Sequence, residues 1–148
     1  MTAASPKPEQ RLLAVDLGSK RIGLAVSAGA LALPLLTLQR SSDRQAIAAI
    51  VAVAREEGVT GLVVGEPLRL DGSRGEAAER ARSFASKLER AAGLPCALVD
   101  ERLTSREAEE RLRDAGVDPR RHPERVDQLA AQILLEEALR ASTERGLG

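Results

Sequence analysis

With 148 residues, 43% of them hydrophobic, the chain holds enough apolar material for one domain with a real core and too little for two. Its single Cys excludes an internal disulfide and a thiolate metal cage, and no apolar run approaches the roughly 20 residues of a membrane span, which reads as a cytoplasmic protein. Basic and acidic residues balance at 22 each, so no global field attracts nucleic acid, and with Phe84 as the only aromatic residue there is no stacking platform. Any nucleic-acid contact must then come from local patches that read backbone and shape.

Residues 1–10 are polar and proline-bearing, without the apolar stretch of a signal peptide, and read as a disordered tail. The domain proper is expected over 11–141, with a C-terminal tail over 142–148. Leu12 to Asp16 is an apolar run ending in a carboxylate; Gly18 and the pair Lys20-Arg21 separate it from a second run, Ile22 to Val26. A third run, Leu31 to Leu38, carries Pro34, which places it at a sheet edge. Helical spacing follows: Ser42-Asp43-Arg44-Gln45 reads as a capping box, with Ile47, Ile50, Val51 and Ala54 forming a stripe that stops at Gly58. Leu62-Val63-Val64-Gly65 is a strand buried on both faces. Ser73 to Glu76 is expected to cap a second helix, with Ala77, Ala81, Phe84, Leu88 and Ala91 inward and Gly93 as its stop. The segment from Leu94 to Val99 reads as a buried fifth strand ending at Asp100, with Cys96 an inert core residue. Thr104 to Glu107 opens a third helix ending near Gly116, and after an arginine-rich loop Pro123 starts a fourth.

The order βββαβαβαα predicts an α/β protein: a mixed five-stranded sheet flanked by helices, in the RNase H-like arrangement with strand one central beside strand four. Asp16 and the pair Asp100-Glu101 then end strands, and Asp127 lies early in the last helix. Taken singly, an Asp at a strand end is more often a turn or cap residue, and Asp127 would suit the helix macrodipole. Together they gather at the carboxyl ends of the strands, where open α/β sheets bind ligands. Oxygen-only donors suit Mg²⁺ or Mn²⁺ rather than zinc, and two such ions about 3.5–4 Å apart can cleave a phosphodiester. The only His, His122, sits in a loop and gives little support to His-based acid–base chemistry.

Asp16 to Ser27 resembles the opening motif of the YqgF/RuvX family. The resemblance continues at Val63 to Leu68 with Asp71-Gly72-Ser73, at Asp100-Glu101-Arg102-Leu103-Thr104-Ser105, and at Val126 to Ala131 with Ile133-Leu134. These four blocks stand in family order and span residues 12 to about 139. The resemblance implies an RNase H-like nuclease related to the resolvase RuvC, whose relatives are described as maturing the 5′ end of pre-16S ribosomal RNA or resolving Holliday junctions. It implies an acidic triad at Asp16, Glu101 and Asp127, and matching positions at Lys20, Arg21, Arg102, Thr104 and Ser105, to which we assign phosphate contacts. One position departs from the family: Glu66 stands where an apolar residue is usual. As the end of strand four it is expected nearer Asp16 than Glu101 is, either as a further metal ligand or as a solvated surface residue. Arg111, Arg113, Arg120, Arg121 and Arg125 form a basic cluster before Asp127, read as a phosphate-gripping loop or as a solvated charged loop.

Structured RNA or branched DNA is the expected partner, bound by a monomer or weak homodimer. Two other functions compete. An actin-like or sugar-kinase-like ATPase shares the Asp-x-Gly strand but needs a second domain. A ribosome-assembly factor would keep the fold and bind nucleic acid without turnover.

Overall fold

The computed structural model describes residues 10–102 and 104–144, with side chains to residue 141. Among these residues the chain forms β1 (Leu12–Leu17), β2 (Arg21–Ala28), β3 (Leu31–Gln39), α1 (Asp43–Glu57), β4 (Gly61–Glu66), α2 (Glu76–Ala92), β5 (Cys96–Asp100), α3 (Thr104–Asp114) and α4 (Pro123–Glu144), with a 3-10 turn at Pro119–Arg121. The sheet order is β3-β2-β1-β4-β5. The first three strands form an antiparallel meander, and β1–β4 and β4–β5 are parallel. This is the mixed sheet expected from the element order, with β1 central beside β4. β3 is an edge strand, and its register slips at Leu35 beside Pro34, where the ladder lacks a donor.

Strand alternation sorts the sheet into two unlike faces. Leu13, Val15, Ile22, Leu24, Leu62 and Val64 face α1 and α2 and form the larger core with Ile47, Ile50, Phe84 and Leu88. The opposite face, covered by α4, is built from smaller side chains: Ala14, Ala25, Ala32 and Val63 meet Ala131, Leu134 and Leu135. Small residues on both sides let α4 lie close to the strands. α3 packs on the outer side of α4 through Ala108, Ala130 and Ile133. The hydroxyl of buried Ser27 accepts the Leu12 N–H at 2.8 Å, satisfying the start of β1.

α1 starts and stops as its sequence predicts: Ser42 Oγ accepts the Gln45 N–H at 3.2 Å, and Gly58 takes a left-handed conformation (φ 65°). α2 begins differently. Its N-cap is Gly75, while Ser73 is held in the preceding turn by Asp71, to which its N–H and hydroxyl both donate. The buried stripe of α2 is Ala78, Ala81, Phe84, Ala85 and Leu88, whereas Ala77 and Ala91 are exposed. The stripe centres on Ala81 and Leu88, with Phe84 at its margin. Ala91 lies just past the Phe84 margin of that stripe, whereas Ala77 shares its face but stands in the first turn, where α2 begins.

β5 is not the buried strand its apolar run predicts. It is the other edge of the sheet, with Ala97 and Asp100 exposed and Cys96 half-buried. Burial, with the Glu89 charge adding, still pushes the Cys96 thiol up to about 12, which disfavours the thiolate at neutral pH. α4 runs to Glu144, past the expected domain end at 141; residues 1–9 and 145–148 of the two expected tails lie outside the described residues.

Candidate active site

Asp16 lies one residue from the end of β1, on the α4 side, and is 8% exposed. Its cross-strand partner is Gly23, and the register Val15↔Val64 places Gly65 beside it on β4. A Cβ at Gly65 would stand 2.7 Å from Glu101 Oε2, so the Glu101 side chain lies over the bare Cα of this glycine. Glu101 follows β5, and only by crossing β4 at Gly65 does its carboxyl meet Asp16. The two share a hydrogen bond in which a protonated Glu101 donates.

This crowding shifts both groups. Burial pushes Glu101 up to about 9, with the hydrogen bond to Asp16 and the charges of Asp16 and Asp100 adding. Burial also raises Asp16; the Glu101 hydrogen bond opposes it and the Asp127 charge adds. In chelator, the protein is therefore expected to lose stability as pH rises. The folded state holds the Glu101 proton more tightly, so its contribution is complete below the ordinary value of 4.5 and is lost on the way to about 9. Melting temperatures across this window read the effect directly, and Glu101→Gln should flatten the curve. A wild-type curve that rises with pH here would rule out the Asp16–Glu101 contact.

Asp127 stands in the second turn of α4, close enough for its charge to be felt at Asp16. A Cβ at Gly23 would lie 2.0 Å from the Asp127 carbonyl oxygen, so α4 rests on the bare backbone of β2. Thr37 of β3 pins the helix start by donating to the Glu124 carbonyl at 2.9 Å and accepting from Gln128 at 3.1 Å. The Asp127 carboxylate accepts from Arg21 Nε at 2.6 Å.

The structure thus gathers Asp16, Glu101, Asp127 and Arg21. Lys20 is exposed in the β1–β2 turn. Arg102 pairs with Asp100 at 2.8 Å and donates to the Leu70 carbonyl, tying the end of β5 to the turn after β4. Thr104 is buried, and its hydroxyl donates to the Glu101 carbonyl at 2.9 Å. Thr104 therefore holds the Glu101 turn rather than facing a phosphate; Ser105 is exposed. Arg120 and Arg121 project from the 3-10 turn before α4, 90% and 83% exposed, with Asp118 between them. Arg111 and Arg113 turn instead to Glu136, Glu107 and Glu109.

Glu66 is a correction. It shares strand parity with Leu62 and Val64 and so points to the α2 face, away from Asp16. There it is 7% exposed, neither solvated nor beside the acidic group, and Oε2 accepts from Arg82 at 2.6 Å and Arg74 at 3.2 Å. Sequence reasoning also missed Gly23 and Gly65, whose missing side chains admit Asp127 and Glu101; their signal was a Gly in the middle of an apolar strand.

The donor set suits a hard cation. Asp16 and Glu101 lie together and offer oxygen only, and two carboxylates so placed repel unless a proton or a cation stands between them. Among the described residues, no three His, Cys, Asp or Glu groups stand as a ready cage. Asp127 would complete one through the oxygen that Arg21 leaves free.

Residues 10–141 match the model of the RuvX family, described as Holliday junction resolvase. The chain belongs to the RuvX family. Relatives named "Putative pre-16S rRNA nuclease" include one from Anaeromyxobacter dehalogenans, 48% identical over 128 residues and covering 85% of this chain and 93% of the relative. Another, from Chloroflexus aurantiacus, is 42% identical over 135 residues, covering 90% and 88%. T. thermophilus RuvC, solved in complex with a Holliday junction substrate, superposes with a TM-score of 0.58 at 16% identity, over 93% of this RuvX-family chain and 97% of that one. At that identity the likeness concerns the fold, which is RNase H-like. The family match removes the ATPase reading.

Proposed function

We propose that this RuvX-family chain is a Mg²⁺- or Mn²⁺-dependent nuclease that hydrolyses phosphodiester bonds in structured RNA or branched DNA. Its two candidate roles are 5′-end maturation of pre-16S rRNA and junction resolution. The observation that carries this reading is the Asp16–Glu101 contact with the Asp127 charge beside it, at the C-terminal edge of the parallel strands. Asp16, Glu101 and Asp127 would hold the metal, which when bound as a pair supplies water activation and charge neutralisation at the scissile phosphate.

The chain's own residues do the rest. Arg21 orients Asp127 and balances its charge before a cation arrives. Thr104 fixes the backbone of Glu101, and β4 keeps a path open for its side chain at Gly65. Lys20, Arg102, Ser105, Arg120 and Arg121 are exposed near the ends of the elements that carry the acids, where they can contact backbone phosphates without reading bases. No described helix is long and apolar enough to cross a membrane, which accords with work in the cytoplasm.

Junction resolution needs two symmetric cuts and hence a two-fold dimer, while trimming an RNA end needs one site. We read the chain as a monomer or weak homodimer alone, pairing on a junction. The test incubates purified protein with four-way junction DNA, single-stranded RNA and duplex RNA in Mn²⁺ or Mg²⁺, with sedimentation alongside. Cleavage of at least one substrate, abolished by chelation, is expected. Cleavage that persists in chelator would sink the metal assignment, and binding without cleavage of any substrate would favour the assembly-factor reading.

A further inference from the structure

Several arginines of this neutral chain are matched one to one with acids, as in Arg11–Glu57, Arg21–Asp127, Arg106–Glu110 and Arg113–Glu109. The end of β4 breaks that pattern. Glu66, buried among apolar strands, faces two guanidiniums on one oxygen, Arg82 at 2.6 Å and Arg74 at 3.2 Å. A buried carboxylate is strongly disfavoured unless paired, so both cations are held where they are. Both bonds use Nε. The Nη groups of Arg74 and Arg82 have no protein partner among the described residues, and these side chains are 54% and 37% exposed.

A third cation joins them. Arg69 donates to Ser73 Oγ and the Arg74 carbonyl, and its guanidinium lies against Gly75. No acid among the described residues pairs with it. The nearby acids are engaged elsewhere: Asp71 is bound by Ser73 and feels Arg102, and Glu76 pairs with Arg80. Two guanidiniums thus share one carboxylate with their Nη forks left over, of the shape that grips phosphate oxygens, and a third, that of Arg69, is bonded to the backbone of Arg74.

The cluster also adjoins the acidic site. The Glu66 carbonyl accepts the Glu101 N–H at 3.1 Å, so the residue that gathers the arginines is bonded to the residue that meets Asp16. Acids and arginines sit at the same end of the sheet, on opposite faces of β4.

We propose that Arg74 and Arg82, organised by Glu66, together with Arg69 bonded to the Arg74 backbone, form a seat for a backbone phosphate of the nucleic-acid strand that runs past the acidic site. The seat rests on the nucleolytic reading above and adds a contact to it. Glu66 acts as a positioning residue: it sets the two forks and is not itself in contact with the strand.

The test is equilibrium binding of a labelled RNA duplex and a four-way DNA junction in EDTA, so that no cleavage intervenes, titrated with salt. Arg69→Gln, Arg74→Gln and the triple change Glu66→Gln, Arg74→Gln, Arg82→Gln are compared with wild type. The triple change removes the buried charge with its partners, and if it fails to fold the two single variants decide. The slope of log affinity against log salt is expected to fall by about one for each single change and about two for the triple, equally on both substrates. Wild-type slopes in folded variants would overturn the seat and leave the nuclease reading standing. A wild-type protein with no salt-dependent binding to either substrate would overturn both.

Discussion

Asp16→Asn is expected to abolish cleavage while leaving the fold as stable as wild type or more so. Asn keeps the shape of the side chain but removes a charge that is 8% exposed and crowded by Glu101 and Asp127. In metal-free protein that charge opposes folding, since burial disfavours it, so relieving it raises the melting temperature by a few degrees. The same charge is what would hold a cation, so activity should fall by about 10³-fold or more. The melting gain and the rate loss must appear together. A folded Asp16→Asn protein that cleaves at the wild-type rate would show that the chemistry lies elsewhere.

Gly23→Ala should damage both stability and activity, although Gly23 carries no chemistry. The added Cβ would lie 2.0 Å from the Asp127 carbonyl oxygen and 2.4 Å from its carbon. Both atoms are backbone, so no side chain can rotate away and α4 itself must lift from β2. Such overpacking costs about 1–3 kcal/mol. The shift is borne at the residue carrying the third carboxylate, and misplacing a catalytic group by about 1 Å can cost about 10²-fold in rate. Urea unfolding and initial rates on one substrate measure the two effects. A Gly23→Ala protein with wild-type midpoint and rate would mean that α4 does not pack on β2 as described.

Much of this protein is legible along the chain. Short continuous apolar runs mark the strands, period-3.6 stripes mark the helices, and Ser42, Gly58 and Gly93 punctuate α1 and α2 where expected. The meander followed by two βα crossovers points to the RNase H-like order with β1 beside β4, so Asp16 and the acids that end β5 are readable as lying at one end of the sheet. The four family blocks carry the same positions. Each of these signals is local, needing only a few turns or strand residues in a row.

Partners remote in sequence were not legible. Whether Glu66 or Gly65 stands beside Asp16 depends on the β1–β4 register, and a slip of one residue exchanges the two faces. That register is decided by which side chains fit between the sheet and its helices, a property of the whole core. The same holds for Arg21 with Asp127, 106 residues apart, and for Arg82 with Glu66. Sequence pattern determined the elements, their order and the acids that end them. Only packing in three dimensions determined that Gly65 gives Glu101 its passage, that Gly23 lets α4 down onto β2, and that Glu66 turns away from the acids to gather arginines, because each depends on contact across strands and helices far apart in the chain.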